Sequence, residues 1–130
     1  MSSDKKKVLL VDDDKFLIDM YSLKFSQAGF DVSAALGAED ALKKLREGFS
    51  PDAILLDVVM PGMSGIELLR TIRSEKLDGG ATVVVLSNQG QPSDIEEAKS
   101  VGIDGYIVKA STIPSEVLEQ VKEIMEHKKR

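Results

Sequence analysis

The sequence predicts an α/β domain, a doubly wound five-stranded parallel sheet flanked by five helices. Three observations carry this expectation. Short, uninterrupted apolar runs such as Val8 to Val11 and Ala81 to Leu86 read as strands covered on both faces. These runs alternate with stretches of helical periodicity. The connections between them are short, which favours right-handed crossovers back into one sheet between two helical layers.

Each element has its own justification. After the first strand, Asp14 is placed to cap a helix from Lys15, with Leu17, Met20, Tyr21, Phe25 and Ala28 on its inner face and Gly29 ending it. Phe30 to Ala35 forms a weaker second strand, and Ala38, Ala41, Leu42 and Leu45 line a second helix stopped by Gly48. The third strand, Ala53 to Asp57, turns through Pro61 and Gly62. Ser64 and Glu67 then stand at capping-box spacing for a helix to about Lys76. The fourth strand, Ala81 to Leu86, ends at Ser87, and Ser93 with Glu96 repeats the capping-box spacing. The helix opened there carries few large apolar residues, so it is expected to be the most loosely held. Gly105 to Val108 makes the fifth strand. Pro114 begins a last helix with Ile113, Val117, Val121 and Ile124 inward and Lys128 to Arg130 as a solvated end.

Length and composition restrict the function classes. The chain's 130 residues suit one domain, 1–130, with a core of about 6–125. Apolar residues make up 42% and charged residues 30%, a globular balance with no apolar run long enough to span a membrane, so no membrane partner and a cytoplasmic location are expected. Cysteine is absent, which removes disulfide and thiolate chemistry. The formal net charge of -5 is the opposite of a nucleic-acid binder's, so no direct nucleic-acid binding is expected. A monomer or weak dimer is expected, because no large apolar patch demands more.

The chemistry collects where the apolar runs stop. The first strand ends in Asp12 and Asp13, the third in Asp57, the fourth in Ser87 and the fifth in Lys109. A sheet of order 2-1-3-4-5 sets those four strands side by side and puts these residues on one rim, where open parallel sheets bind ligands. Three carboxylates against one lysine leave a negative surplus that a divalent cation would balance. An all-oxygen set without His or Cys favours Mg²⁺. With that ion, Asp57 can attack phosphorus while Lys109 and the Ser87 hydroxyl take up charge, leaving an acyl phosphate on Asp57. Taken singly the same residues have plainer uses, such as turn, cap or strand-end charge.

Val11-Asp12-Asp13, Asp57-Val58-Val59-Met60-Pro61-Gly62-Met63-Ser64-Gly65, Leu86-Ser87 and Gly105-Tyr106-Ile107-Val108-Lys109 closely resemble the response-regulator receiver domain, the CheY-like variant of the flavodoxin-like fold. The resemblance implies that Asp57 is the phosphoacceptor and that Asp12, Asp13, Asp57 and the Val59 backbone carbonyl hold Mg²⁺. It further implies that Lys109 contacts the phosphoryl group and that Ser87 and Tyr106 move together as a switch. The implied partners are a sensor histidine kinase or histidine phosphotransfer protein, and an unidentified downstream protein reading the face of helix four, strand five and helix five. The chain would then be a two-component signalling switch, not an enzyme beyond its own phosphoryl transfer and self-dephosphorylation.

The chain departs from the family at defined places. Most receivers have proline, through a cis bond, where this chain has Ala110, and a cis bond before a non-proline residue costs about 3–4 kcal/mol. Asn88 replaces a small residue beside the acceptor, and Val59 and Gln89 occupy positions that set phosphate lifetime in the family. Ala110 and Asn88 motivate one alternative, a phosphorylation-independent interaction module on the same fold; a receiver fragment of a larger regulator is a second. A hydrolase with an aspartyl intermediate is disfavoured because its acid-base Asp would stand at Val59. A flavodoxin-like cofactor site is disfavoured because no Gly-rich loop follows strand one.

Overall fold

In the computed structural model, which describes residues 5–88, 92–109 and 112–128, five strands and five helices alternate along the chain. They are β1 (Lys7–Val11), α1 (Lys15–Gln27), β2 (Asp31–Ala35), α2 (Ala38–Arg46), β3 (Ala53–Leu56), α3 (Gly65–Ser74), β4 (Thr82–Ser87), α4 (Pro92–Val101), β5 (Gly105–Val108) and α5 (Pro114–Lys128). All strand pairs are parallel, in the order β2-β1-β3-β4-β5. The fold class and strand order are those expected from the sequence. No described helix is long and apolar enough to cross a membrane.

Strand alternation divides the interior into two cores. Leu9, Val11, Ile54, Leu56, Val83 and Val85 face α2, α3 and α4, whereas Val8, Leu10, Leu55, Val84 and Ile107 face α1 and α5. β3 is apolar at every position, and β1 and β4 are apolar except at Lys7, Thr82 and Ser87 at their ends, which is why they show no period-two pattern in the sequence. Each fully buried aliphatic side chain of these strands contributes roughly 1.5–3 kcal/mol by leaving water.

Several helix details differ from the sequence expectation. On α1 the buried stripe is Ile18, Tyr21 and Phe25, with Leu17 and Met20 at its margin and Ala28 exposed. The stripe centre is set by where Asp14 starts the helix, accepting from the Phe16 and Leu17 amides. Phe30 lies outside β2, and the buried face of α3 is made by Ile66, Leu68, Leu69 and Ile72. Ile113 is 59% exposed and leaves the α5 stripe to Val117, Leu118, Val121 and Met125. It precedes Pro114, which disfavours helical backbone there, and it instead occupies the cap position with its amide donating to Glu116 Oε1. Lys128 is not a solvated end, because its ammonium donates to the Ala81 carbonyl and Asp104 Oδ2, both at 2.9 Å.

The two capping-box expectations had opposite outcomes. Ser64 accepts from the Glu67 amide while Glu67 reaches back to the Ser64 amide, so α3 has the full reciprocal motif. On α4, Pro92 is already the first helical residue and places Ser93 inside the first turn, where it cannot cap. Proline at that position needs no amide partner and is itself a start signal. As expected, α4 is thinly anchored: Ala98 is its only buried side chain among those described.

Replacing each serine by alanine should separate the two cases. Ser64→Ala is expected to cost about 1 kcal/mol, and Ser93→Ala to stay within about 0.5 kcal/mol, as measured by urea denaturation.

Candidate phosphoryl and metal site

Register brings the acidic residues together. Val11 pairs with Leu56, so the next residues of β1 and β3, Asp12 and Asp57, leave the sheet side by side. The backbone grip continues one step past the strands, with the Asp12 amide donating to the Ala35 carbonyl at 3.2 Å and the Asp57 amide to the Val11 carbonyl at 3.0 Å. Both aspartates are buried, while Asp13 is exposed at the mouth. Asp14 is spent on capping α1. The three remaining carboxylates can each offer an oxygen within 4.8 Å of the others.

Lys109 reaches this cluster from the end of β5. Its ammonium contacts Asp12 Oδ2 at 2.6 Å and Asp57 Oδ2 at 3.4 Å, with all three side chains nearly excluded from solvent. Asp12 is the closer partner, and its other oxygen accepts from the Asp14 amide at 3.0 Å. Asp57 Oδ1 accepts a longer bond, 3.4 Å, from the Val59 amide. Of the two buried carboxylates, Asp57 is therefore the less firmly held.

The electrostatics follow from that arrangement. Burial raises the Asp57 pKa, Lys109 opposes the rise, and Asp12 adds to it. For Lys109, burial pulls the pKa down, but the bond to Asp12 and the charges of Asp57 and Asp12 outweigh it and the pKa lies above the ordinary lysine value. One ammonium between two buried carboxylates, with a third at the mouth, leaves negative charge uncompensated. The donor set is hard oxygen throughout, which fits a hard divalent cation.

Backbone packing holds Asp57 from below. The Gly65 amide donates to the Val58 carbonyl at 2.8 Å, folding the start of α3 back onto the loop after β3. A Cβ at Gly65 would lie 1.9 Å from the Asp57 carbonyl oxygen. The sequence showed Gly65 only as part of a turn-and-cap motif. The reason for a glycine there is this close approach, made by residues distant from it along the loop.

The remaining predicted residues take distinct places. Ser87 is fully buried at the end of β4 and pairs with Val108. Tyr106 pairs with Val85 and packs, half-buried, on the core facing α2, α3 and α4. Alternation along β4 puts Ser87 on that same side of the sheet. Val59 is 58% exposed, Asn88 is exposed directly after Ser87, and Met60 fills the core with Met63 against it. Gln89 and Ala110 lie outside the described residues, and so does the peptide bond joining Lys109 to Ala110.

Comparison with known proteins gives consistent results. The family model described as "Response regulator receiver domain" matches residues 8–122. The chain is 34% identical over 120 residues to the chemotaxis protein CheY of Thermotoga maritima, covering 92% of this chain and 97% of that protein. It is 33% identical over 122 residues to the DNA-binding response regulator MtrA of Mycobacterium tuberculosis, covering 94% of this chain and 51% of MtrA. It thus spans about half the length of MtrA. A CheY-like receiver protein from Methanospirillum hungatei superposes with a TM-score of 0.86 at 28% identity, covering 97% of this chain and 98% of that one. CheY4 of Vibrio cholerae gives 0.83 at 30% identity, with 92% and 98% covered.

The raised Asp57 pKa has a definite consequence for stability. A carboxyl whose folded pKa exceeds the ordinary 3.8 opposes folding when ionised, fully above its folded value and not at all below 3.8. Asp57→Asn should therefore stabilise the metal-free protein at neutral pH, and the gain should fade as the pH falls toward 3.8, in thermal melts across that range. Gly65→Ala is expected to lower stability by about 1–3 kcal/mol by forcing α3 off the Asp57 backbone, as read by urea denaturation.

Proposed function

The chain belongs to the response-regulator receiver domain family, and from that premise we propose that it is a phosphorylatable switch of a two-component system with Asp57 as its phosphoacceptor. Receiver domains are signalling switches of response regulators, partners of histidine kinases, and not classical enzymes. The observation that carries the proposal is the meeting of Asp12, Asp13 and Asp57 oxygens within 4.8 Å, with the Lys109 ammonium buried among them.

The phosphodonor is the phosphohistidine of a sensor kinase or a phosphotransfer protein. An Asp57 oxygen attacks phosphorus in line, the P–N bond breaks, and its electron pair returns to the imidazole. Lys109 and the Ser87 hydroxyl receive charge on the equatorial oxygens. Asp12, Asp13, Asp57 and the Val59 carbonyl would hold Mg²⁺, which supplies charge neutralisation and orientation of the phosphoryl oxygens. The acyl phosphate on Asp57 is then lost to water. Val59 stands where a hydrolase would carry an acid-base carboxylate, which supports a switch over a turnover enzyme.

The signal passes from Ser87 to Tyr106, which share one side of the sheet beside thinly anchored α4. The output face is α4, β5 and α5, and Asn88, Val59, Gln89 and Ala110 adjust phosphate lifetime and access. On the input side, Phe16, Leu36, Val59 and Ile113 are exposed apolar residues near the strand ends that open on the site, a rim suited to a protein donor. The net charge of -5 favours protein partners over direct nucleic-acid contact. The chain acts as a single receiver unit in the cytoplasm, as a monomer or weak dimer.

Incubation with a small phosphodonor and Mg²⁺ should add one phosphate by intact mass, with none on Asp57→Asn and none when a chelator removes the metal. An unchanged mass under conditions that phosphorylate another receiver would overturn the proposal and leave the interaction-module alternative.

A further inference from the structure

Beneath the rim lies a polar side chain that the phosphoryl chemistry leaves unused. Tyr21, on the inward face of α1, is 5% exposed and sits in the core formed with β1, β3, β4 and α5. Its neighbours there, Leu10, Ile18, Leu55 and Leu86, are aliphatic. A phenol in such a layer brings a hydroxyl that must find a partner or lose its hydration uncompensated.

A cavity of about 10 Å³ opens between α1 and the strand ends, and Tyr21, Asp12 and Asp57 share its wall with Ile18, Leu55 and Leu86. It has room for one water at most. Burial raises the Tyr21 pKa, Lys109 pulls it down and Asp12 pushes it up, so the phenol is a protonated donor within electrostatic range of that pair. Carboxylates can only accept from it.

We propose that Tyr21 is a positioning residue of the acidic site, its hydroxyl reaching the carboxylates across this cavity through one bridging water. This rests on the phosphoacceptor reading. Asp12 is then constrained by Tyr21 from below, by the Asp14 amide at 3.0 Å and by Lys109 at 2.6 Å. With Asp12 fixed, Lys109 stays nearer to it than to Asp57, at 2.6 against 3.4 Å, and Asp57 remains the available nucleophile. The arrangement parallels the outer-sphere groups that orient metal ligands in other sites.

The test is Tyr21→Phe, which keeps the ring and removes the hydroxyl. Calorimetric titration of the unphosphorylated protein should show the Mg²⁺ dissociation constant rising about 10-fold. Phosphorylation at subsaturating Mg²⁺ should slow in step. Ile18→Val, which loosens the same layer without touching the hydroxyl, should leave Mg²⁺ affinity at the wild-type value. Wild-type affinity in Tyr21→Phe, or an equal loss in Ile18→Val, would overturn the proposal. A wild-type chain that binds Mg²⁺ but takes no phosphate would overturn the phosphoacceptor reading instead, and the titration separates the two failures.

Discussion

The constraint on which the rest of the molecule depends is the crowding of carboxylates around a single buried ammonium. Lys109 lies 2.6 Å from Asp12 and 3.4 Å from Asp57 in a region almost closed to solvent. The Lys109–Asp12 pair is costly to assemble, because each charge gives up its hydration, and breaking such a pair by removing one of those two partners typically costs about 3–5 kcal/mol. The sheet has to supply that cost from elsewhere. It does so with two dry cores whose strands are apolar at nearly every position.

The same crowding explains the division of labour among four acids. Asp14 caps α1, Asp12 engages Lys109 and the Asp14 amide, Asp13 stays at the mouth, and Asp57 keeps the longest contacts. Identical side chains are separated by what surrounds them. Burial raises the Asp57 pKa, so its surroundings oppose its charge. A cation bound there would relieve that opposition, which couples ligand binding at the rim to the stability of the whole domain.

Much of this was legible in the residues. The alternation of apolar runs with helical stretches, the Gly and Pro stops, and the polar residue ending each of four strands led to the fold and to Asp12, Asp13, Asp57, Ser87 and Lys109. What was not legible depended on where helices begin and on contacts between distant segments. Ile113 reads as a helical stripe residue until Pro114 is seen to hold it at the cap position. Ser93 reads as a cap until the helix is found to start at Pro92. Lys128 reads as a solvated end, yet it is bound to Ala81 and Asp104, both far from it in the chain.

The sequence by itself determined the strand order's chemistry. Apolar runs buried on both faces demand a parallel sheet between helical layers, and such a sheet presents its strand ends on one rim. Tertiary structure alone decided the roles within that rim. Only the pairing of Val11 with Leu56 sets Asp12 beside Asp57, and only the approach of α3 explains why Gly65 has no side chain. Only the packing of α1 brings Tyr21 to the wall of the small cavity that Asp12 and Asp57 also line. The physical reason is that periodicity records which face a residue presents, whereas distance and electrostatics depend on partners that the chain brings together from elsewhere.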